Sequence, residues 1–365
     1  MSDLRLINTT KEYGPSPLFL AGEPGLFDTI NKSHPEIWNI YKNLKSQDWD
    51  AGEFDYSKCA VDFKMLPKDI SQMMIRQLAW QWEADSLAAR SIVGIMAPYI
   101  ASDELSAAWM RVADNENVHA ETYSEIVRQS FDNPSVVLDE VTAIKEAFDR
   151  SSTVDRIMFD TKQHGLKLAL GLVEPDQEAY NHAFKFVCAL YMLERIQFMS
   201  SFAITAIICK SGHFDEIATS VQKISVDEFA CHAILDRAIL ETELKTDRGQ
   251  RALQMCHEEI TTALKEVVEL EYDWVDYQFK DDPQVPGMDK EGLKRWTLYC
   301  AEQVFDVLSV DKSGYDFPEK LPLHLMKKWF DLDSTQKAPM EQNSNQYRVN
   351  VIKNDDDGMK FAANF

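Results

Sequence analysis

The sequence predicts an all-α protein, a bundle of long core helices followed by a flexible C-terminal tail. Apolar residues recur with helical spacing after Pro67, and no region shows the clustered β-branched alternation that is typical of a sheet. Several segments reach roughly 30 residues without a strict heptad, which favours a bundle over a coiled coil. The predicted helices span 34–46, 68–96, 102–131, 138–150, 152–171, 177–211, 214–245, 249–280 and 288–308.

The chain divides into three predicted parts. Residues 1–65 contain four prolines and are expected to form an irregular segment that packs on the bundle. The helical domain covers 66–333, and inside it the Asn133–Pro134 step and Gly212 mark helix ends. Residues 334–365 are polar and lack a periodic apolar face, which predicts a flexible tail.

Composition and charge argue against two classes of partner. With 60 acidic and 38 basic residues the formal net charge is -22, whereas nucleic-acid binding needs a basic footprint. Residues 1–14 lack the basic start and apolar run of a signal peptide. The most apolar run, 200–212, contains Lys210 and suits a core helix better than a membrane span. Six scattered cysteines without a Cys-x-x-Cys pair indicate buried thiols, so we expect a soluble cytoplasmic protein without nucleic-acid or membrane partners.

One predicted helix presents a carboxylate, an imidazole and a phenol along a single face. Glu116, His119 and Tyr123 fall at offsets 0, 3 and 7, which at about 3.6 residues per turn point the same way. An inward Glu-x-x-His pair is how helical bundles supply ligands to two metal ions. Taken alone, the pair could also be a chance combination on the surface.

Further segments could complete such a centre. Glu228 and His232 are four residues apart, still on one face, while Asp85 and Glu194 each lie in a strongly apolar helix. A glutamate in so apolar a helix is unfavourable unless it is paired or bound to a cation; a salt bridge from Glu194 to Arg195 is the alternative. Oxygen and imidazole ligands suit iron or manganese, so the segments together predict a dimetal centre.

An apolar pocket is predicted beside this centre. Phe198 and Phe202 lie one and two turns after one ligand glutamate, and Ile224 lies one turn before the other, so they point with the ligands. The phenol of Tyr123 could be oxidised there by an oxygen-activated metal pair, and its radical would be shielded from water. The alternative is that Tyr123 is an ordinary core tyrosine.

Four motifs and the tail carry a family resemblance. The motifs are DSLAARS (85–91), ENVHAETY (116–123), LERIQFMSSF (193–202) and ISVDE (224–228), and the likeness extends from residue 17 to Phe365. This set is similar to the small, radical-generating subunit of class I ribonucleotide reductase. It implies a ferritin-like homodimer that uses oxygen and two metal ions to form a stable radical. The radical would pass to a cysteine of a separate large subunit, which reduces ribonucleoside diphosphates and without which the small subunit is inactive.

The resemblance implies a role for each residue of the predicted centre. Tyr123 would carry the radical, inside the pocket of Phe198, Phe202 and Ile224. The implied cofactor is a di-iron centre, with dimanganese or a mixed manganese–iron pair as other options. The implied metal ligands are Asp85, Glu116, His119, Glu194 and Glu228.

The resemblance also implies a route for the radical. Trp49, hydrogen-bonded to Asp227 beside a ligand histidine, would carry it away from the centre. Tyr347 in the tail would continue the route, and Glu341 would assist the transfer. The last residues, which end at Phe365, would dock on the large subunit.

The second histidine motif departs from the family's Glu-x-x-His pattern. Cys231 stands three residues after Glu228, and the histidine follows at 232. A one-residue π bulge could rotate His232 into the ligand position; alternatively, Cys231 faces the site and His232 is displaced. We favour His232, because the fourth position stays on nearly the same face and a thiol beside an oxygen-activating centre would invite oxidation. An atypical metal or radical cofactor is a further option.

Two other classes of function compete with this interpretation. Another ferritin-like metal enzyme, such as a desaturase, monooxygenase or ligand-binding oxidase, would share the ligands but would not need Tyr347 or a docking tail. An iron-storage protein or a metal-free helical scaffold would need neither Trp49 nor a pocketed Tyr123. The agreement of tail, pocket and ligand spacing favours the reductase subunit.

Overall fold

The computed structural model describes residues 16–22 and 25–330, and this part of the chain is mainly helical. An isolated antiparallel bridge joins Phe19 to Ile100. The predicted tail at 334–365, with Tyr347, Glu341 and Phe365, lies outside the described residues. The helices are α1 (Pro35–Ser46), α2 (Cys59–Met65), α3 (Lys68–Met96), α4 (Asp103–Ser130), α5 (Pro134–Val141), α6 (Lys145–Ala169), α7 (Gln177–Met192), α8 (Phe198–Cys209), α9 (Asp215–Asp227), α10 (Ala233–Glu243), α11 (Asp247–Gln278), α12 (Lys290–Val307) and α13 (His324–Trp329).

Two of the long helices contain a π-helical turn. The first π turn, Leu193–Gln197, joins α7 to α8, and the second, Glu228–His232, joins α9 to α10. A π turn inserts an extra residue into an α-helix and occurs frequently at functional sites. The continuous helix Gln177–Cys209 is long and apolar enough to cross a membrane, but its apolar window is entirely buried. It is therefore explained as the central core helix of the bundle.

The bundle is built by side-by-side packing of the long helices. α3 lies along α4, α6 packs on α7, and α11 packs on both α6 and α7. The N-terminal segment, predicted to be irregular, forms α1, α2 and two 3-10 turns at Ala51–Glu53 and Tyr56–Lys58, and these elements pack on α4. Trp80, Trp109 and Trp274 are almost fully buried, and aromatic side chains of this size contribute much of the apolar burial in a core.

Local sequence signals set where several helices begin and end. The Ser102 hydroxyl accepts a hydrogen bond from Leu105 N–H (3.1 Å) at the start of α4, and Thr246 does the same for Gly249 N–H (3.0 Å) at the start of α11. Beyond α8, Gly212 has a φ of +83°, a left-handed conformation that glycine adopts without strain. The predicted helix end at this glycine is confirmed.

The predicted break between residues 150 and 152 is wrong. α6 runs without interruption, and the break lies between α5 and α6. Ser152 does not end the helix; its hydroxyl lies against the preceding turn and donates to the Asp149 carbonyl (2.7 Å). α5 begins at Pro134, since proline is favoured at the first helical position. The other predicted helices are confirmed to within two residues at each end.

Candidate metal centre

Six buried, metal-ligating side chains converge inside the bundle. One comes from α3, two from α4, one from the first π turn and two from the ends of the second π turn. None is more than 1% exposed. We call them the six-residue cluster: Asp85, Glu116, His119, Glu194, Glu228 and His232.

The cluster divides into two overlapping groups of four. Glu116 and Glu228 belong to both groups; Asp85 and His119 complete one, and Glu194 and His232 complete the other. Within each group, one ligand atom per residue lies within 4.8 Å of the others. The arrangement can therefore hold two neighbouring ions that share two carboxylates.

The second π turn decides which side chain at 231 or 232 joins the cluster. His232 Nδ1 lies 2.7 Å from Glu228 Oε2 and 3.1 Å from Glu116 Oε1. Cys231 is also buried, but its Sγ lies 3.7 Å from Gln47 Oε1, next to α1. Because the turn contains an extra residue, the Glu228-to-His232 spacing of four brings both side chains to one place.

The charge within the cluster requires compensation. Both carboxylate oxygens of Asp85 and Glu194 are buried without a hydrogen-bond partner, and the oxygens of Glu116 face the Nδ1 atoms of the two histidines of the cluster. With Glu228, four ionised carboxylates would carry four negative charges, and uncompensated buried charge is strongly unfavourable. Two divalent cations would balance these charges, and the oxygen and imidazole donors fit iron or manganese.

Protons compete with cations for this cluster. Burial, followed by the charge of Glu116, raises the pKa of Asp85, and burial followed by the charge of Glu228 raises the pKa of Glu194. Burial alone would lower the pKa of His232, but the charges and hydrogen bonds of Glu228 and Glu116 together outweigh burial and raise that pKa to about 10. Binding of cations would therefore release protons from these groups.

One carboxylate outside the cluster orients its histidines. Asp227 Oδ2 accepts hydrogen bonds from Trp49 Nε1 (2.7 Å) and Asn115 Nδ2 (3.2 Å), and it lies 3.2 Å from His119 Nε2. Since a carboxylate accepts, His119 carries its proton on Nε2 and turns Nδ1 toward Glu228 Oε1, 2.9 Å away. The predicted contact of Trp49 with Asp227 is present, and the Trp49 and His119 rings stack at 5.8 Å.

Asn115 was not among the site residues predicted from the sequence. Its Oδ1 lies 2.9 Å from His232 Nε2, so the amide connects Asp227 to the second histidine as well. With Nε2 donating to this amide, His232 directs Nδ1 to the carboxylates. An amide directly before Glu116 is the sole sequence signal, and nothing in that position announces a contact with a residue 117 positions away.

Tyr123 and its predicted pocket are all buried. Tyr123, Phe198, Phe202 and Ile224 are inaccessible to solvent, and the two phenylalanine rings stack at 5.6 Å. The Tyr123 hydroxyl has no hydrogen-bond partner. Burial, followed by the charges of Asp85 and two glutamates of the cluster, raises the pKa of Tyr123 well above its ordinary value. The phenol is therefore neutral, dry and within electrostatic reach of the cluster.

Comparisons of the sequence place the chain near one group of proteins. A family model described as "Ribonucleotide reductase, small chain" matches residues 27–315. A ribonucleoside-diphosphate reductase subunit beta of Buchnera aphidicola (subspecies Schizaphis graminum) is 26% identical, covering 91% of this chain and 92% of its own. The subunit beta of reductase 1 from Escherichia coli O157:H7 is 25% identical, with 96% of each chain covered.

Solved structures show the same fold. The ribonucleotide reductase R2 subunit from Clostridium botulinum superposes with a TM-score of 0.78 at 18% identity, covering 90% of this chain and 98% of that one. Streptococcus sanguinis dimanganese(II)-NrdF has a TM-score of 0.64 at 13% identity, covering 83% and 98%. At these identities the likeness supports the predicted helical fold and not the individual site residues.

Proposed function

The chain belongs to the ribonucleotide reductase small-chain family, and from that premise we propose that its six-residue cluster holds two redox metal ions beside a radical-forming Tyr123. As a small subunit of ribonucleoside-diphosphate reductase, it works with a large subunit. The observation that carries the proposal is the set of buried carboxylate oxygens without protein partners in two overlapping four-residue groups.

Iron and manganese are the candidate ions. The donors are carboxylates and imidazoles, with no sulfur ligand in the cluster, and this set suits both metals. When bound, a redox pair would react with oxygen and supply a strong one-electron oxidant at this position. A solved relative contains dimanganese(II), so the choice between the metals is left to metal analysis.

Tyr123 is suited to hold an unpaired electron. Its oxidation removes one electron together with the phenolic proton. The candidate proton acceptor is Asp85, whose charge acts on the phenol and which would be ionised once cations have displaced its proton. Phe198, Phe202 and Ile224 exclude water from the same core. Re-reduction of the oxidised residue requires a proton as well as an electron, and the Tyr123 oxygen has no hydrogen-bond partner that could return one, so the oxidised residue would persist.

Trp49 and Asp227 are proposed to connect the centre to the surface. The Trp49 indole is 8% exposed, stacks on His119 and donates its N–H to Asp227. The indole can lose an electron while Asp227 holds its proton, so charge need not be separated in the core. Tyr347 and Glu341 would continue the route in the tail, by family resemblance.

The Tyr123→Phe variant tests the radical. After anaerobic loading with Fe(II) and exposure to air, wild type should contain about two irons per chain, as a carboxylate dimetal site does, and show a tyrosyl signal in electron paramagnetic resonance. Tyr123→Phe should keep the iron and lose both the signal and reductase activity with the large subunit. Tyr272→Phe, on α11, is the matched control and should retain both. Full activity in Tyr123→Phe would refute the assignment.

The docking role of the tail is tested separately. We propose that the last residues, ending at Phe365, dock on the large subunit, and that the small subunit is a homodimer. Deleting the last ~20 residues, a peptide-docking element of the kind known from other complexes, should leave the radical signal and abolish binding to the large subunit. Unchanged affinity in a titration with the large subunit would contradict the docking role.

A further inference from the structure

A second group of metal-ligating side chains lies apart from the six-residue cluster, where α6 meets the start of α7. His164 belongs to α6, and Glu178 and His182 lie four residues apart on one face of α7. One ligand atom of each lies within 4.8 Å of the other two. His182 precedes Glu194 by about 18 Å along the helix, so the two groups are separate.

Hydrogen bonds leave one ring nitrogen of His164 free to bind a cation. The Tyr99 hydroxyl donates its single proton to the Thr161 carbonyl (3.0 Å), because a carbonyl can only accept. In the 3.0 Å contact between Tyr99 and His164 Nδ1, the histidine is then the donor. With its proton on Nδ1, His164 keeps the lone pair on Nε2, as metal-binding histidines do when an outer partner fixes their tautomer.

His182 also presents a nitrogen that the fold does not use. Its Nδ1 is buried without a hydrogen-bond partner. Its ring stacks on that of His164, with centroids 4.3 Å apart and planes at 22°. Buried polar atoms in folded proteins are normally satisfied, so this nitrogen requires a partner that the protein itself does not provide. The exposed Glu178 carboxylate leaves the group open to ions from solvent.

Acidic side chains outnumber basic ones around the two rings. Lys185 Nζ lies 2.9 Å from both carboxylate oxygens of Glu259, so its charge is balanced locally. This surplus of negative charge favours a cation over an anion. The charged groups close enough to affect the pKa of either ring are Asp160, Asp176, Glu178, Glu259, Lys167 and Lys185.

We propose that His164, Glu178 and His182 bind one divalent transition-metal ion, Zn²⁺ or an ion of similar ligand preference, which clamps α6 to the start of α7. Two imidazoles and a carboxylate, with water completing the shell, are a ligand set that such ions accept. Bonds of about 2.0–2.2 Å bring the ligand atoms to roughly 3–3.5 Å from one another, and the exposed Glu178 side chain can move to close that distance. The site shares no residue with the six-residue cluster, so it goes beyond the proposed function.

Zinc binding to the full, untagged chain tests this proposal. The protein would be loaded with iron, exposed to air, desalted and titrated with Zn²⁺ by isothermal calorimetry. We expect one additional zinc ion per chain, and a loss of affinity of about tenfold or more in Glu178→Gln, an exposed position where the fold is not disturbed. Tyr99→Phe, which releases the tautomer of His164, should weaken binding by about 10- to 100-fold.

Two further variants decide the outcome. His182→Ala should abolish zinc binding, while His324→Ala, which changes an exposed histidine, should leave it unchanged; equal zinc affinity in these two variants would overturn the proposal. In Glu116→Ala, which disables the six-residue cluster, iron content should fall while this zinc site persists. Zinc binding that disappears in Glu116→Ala would belong to the six-residue cluster, and the α6–α7 site would then be rejected whatever the fate of the proposed function.

Discussion

Two sets of buried charged side chains lie in the same bundle, and in one of them every charge is paired within the protein. Arg150 Nη2 donates to Glu271 Oε2 at 2.7 Å, and Arg150 Nη1 donates to the Ser201 hydroxyl at 2.8 Å. The guanidinium carbon lies 3.6 Å from the ring centroid of Trp80 and 4.8 Å from that of Trp274. We call this the Arg150 pair, and both of its charges have partners within the core.

The six-residue cluster is the opposite case. Its side chains are as deeply buried, yet both oxygens of Asp85 and of Glu194 lack hydrogen-bond partners. A buried charged group whose hydrogen bonds are made within the protein contributes to a unique packing. A buried carboxylate whose oxygens lack protein partners is suited to bind a cation. Hydrogen-bond completeness therefore distinguishes the Arg150 pair from the six-residue cluster, whereas depth of burial and the presence of charge do not.

The two groups are physically connected. Arg150 donates from Nη2 to the carbonyl of Gln197, and Gln197 Nε2 donates to the Arg150 carbonyl at 2.7 Å. Gln197 is the last residue of the first π turn, which carries Glu194. The Arg150 pair therefore holds the backbone of the first π turn in place, and that turn carries Glu194 of the six-residue cluster.

The largest expected loss of stability comes from breaking the Arg150 pair. Arg150→Met leaves the Glu271 carboxylate buried without its cation, which should lower the free energy of unfolding by about 3–5 kcal/mol. Arg156→Met is the control: it removes an exposed ion pair with Glu266 (2.8 Å) and should cost under about 1 kcal/mol. Chemical denaturation of the metal-free chains measures both. Equal losses would mean that the Arg150 pair is not special.

Removing a carboxylate from the six-residue cluster should reduce the stability gained from metal binding and not the stability of the metal-free chain. Burial and the charge of Glu228 raise the pKa of Glu194 and so favour its neutral form, which Gln imitates; the metal-free Glu194→Gln chain should therefore be as stable as wild type or slightly more stable. With Fe(II) at a hundredfold excess over its dissociation constant, wild type should gain about 2.7 kcal/mol per site, and the variant should lose that gain at one site.

Anaerobic thermal unfolding with and without Fe(II) measures this difference. Glu241→Gln, which changes a partly exposed glutamate on α10, should behave as wild type. Strong destabilisation of metal-free Glu194→Gln would show that the carboxylate already has a structural partner, which would remove the contrast between the two groups.

Substitutions at 231 and 232 test which of these two side chains contributes to metal binding by the six-residue cluster. His232→Ala removes an imidazole that faces Glu228 and should weaken metal binding by about tenfold or more, or about 1.4 kcal/mol. Cys231→Ser changes a thiol that faces Gln47 and should leave metal content unchanged. Metal analysis after dialysis compares the two variants, and a metal loss confined to Cys231→Ser would reverse the assignment.

Periodicity made much of this arrangement predictable. Long apolar repeats located the bundle helices, and helical spacing placed Glu116, His119 and Tyr123 on one face. The departure from the resembling family's Glu-x-x-His pattern also suggested a π bulge before His232, as one of two explanations of the spacing of four. These features are local, because each depends on residues within a few turns of one another.

What the sequence could not predict depends on distant partners. Arg150 and Glu271 are 121 positions apart, and no local pattern marks either as one half of a buried pair. The contact of Asn115 with His232 likewise exists only after α4 and the second π turn have packed. His164 belongs to α6, whereas the two side chains grouped with it, Glu178 and His182, come from the next helix.

The smallest expected effect concerns Glu83, a carboxylate between the two extremes. One oxygen is buried without a partner, while the side chain remains partly accessible. Burial, followed by the charge of Asp155, raises the pKa of Glu83 to about 7 from 4.5. Between those two pH values the folded chain binds more protons than the unfolded chain, so stability should fall as pH rises through this window.

Replacing the ionisable group should remove this pH dependence. After allowance for solvent screening, we expect Glu83→Gln to gain about 1 kcal/mol over wild type at pH 8 and almost nothing at pH 5. Glu121→Gln, at an exposed position on α4, should show no such difference between the two pH values. Urea unfolding at pH 5 and pH 8 provides the measurement. A stability gain of the same size at both pH values would mean that Glu83 acts through packing. Water would then be sufficient to solvate a partly exposed carboxylate that has no partner within the protein.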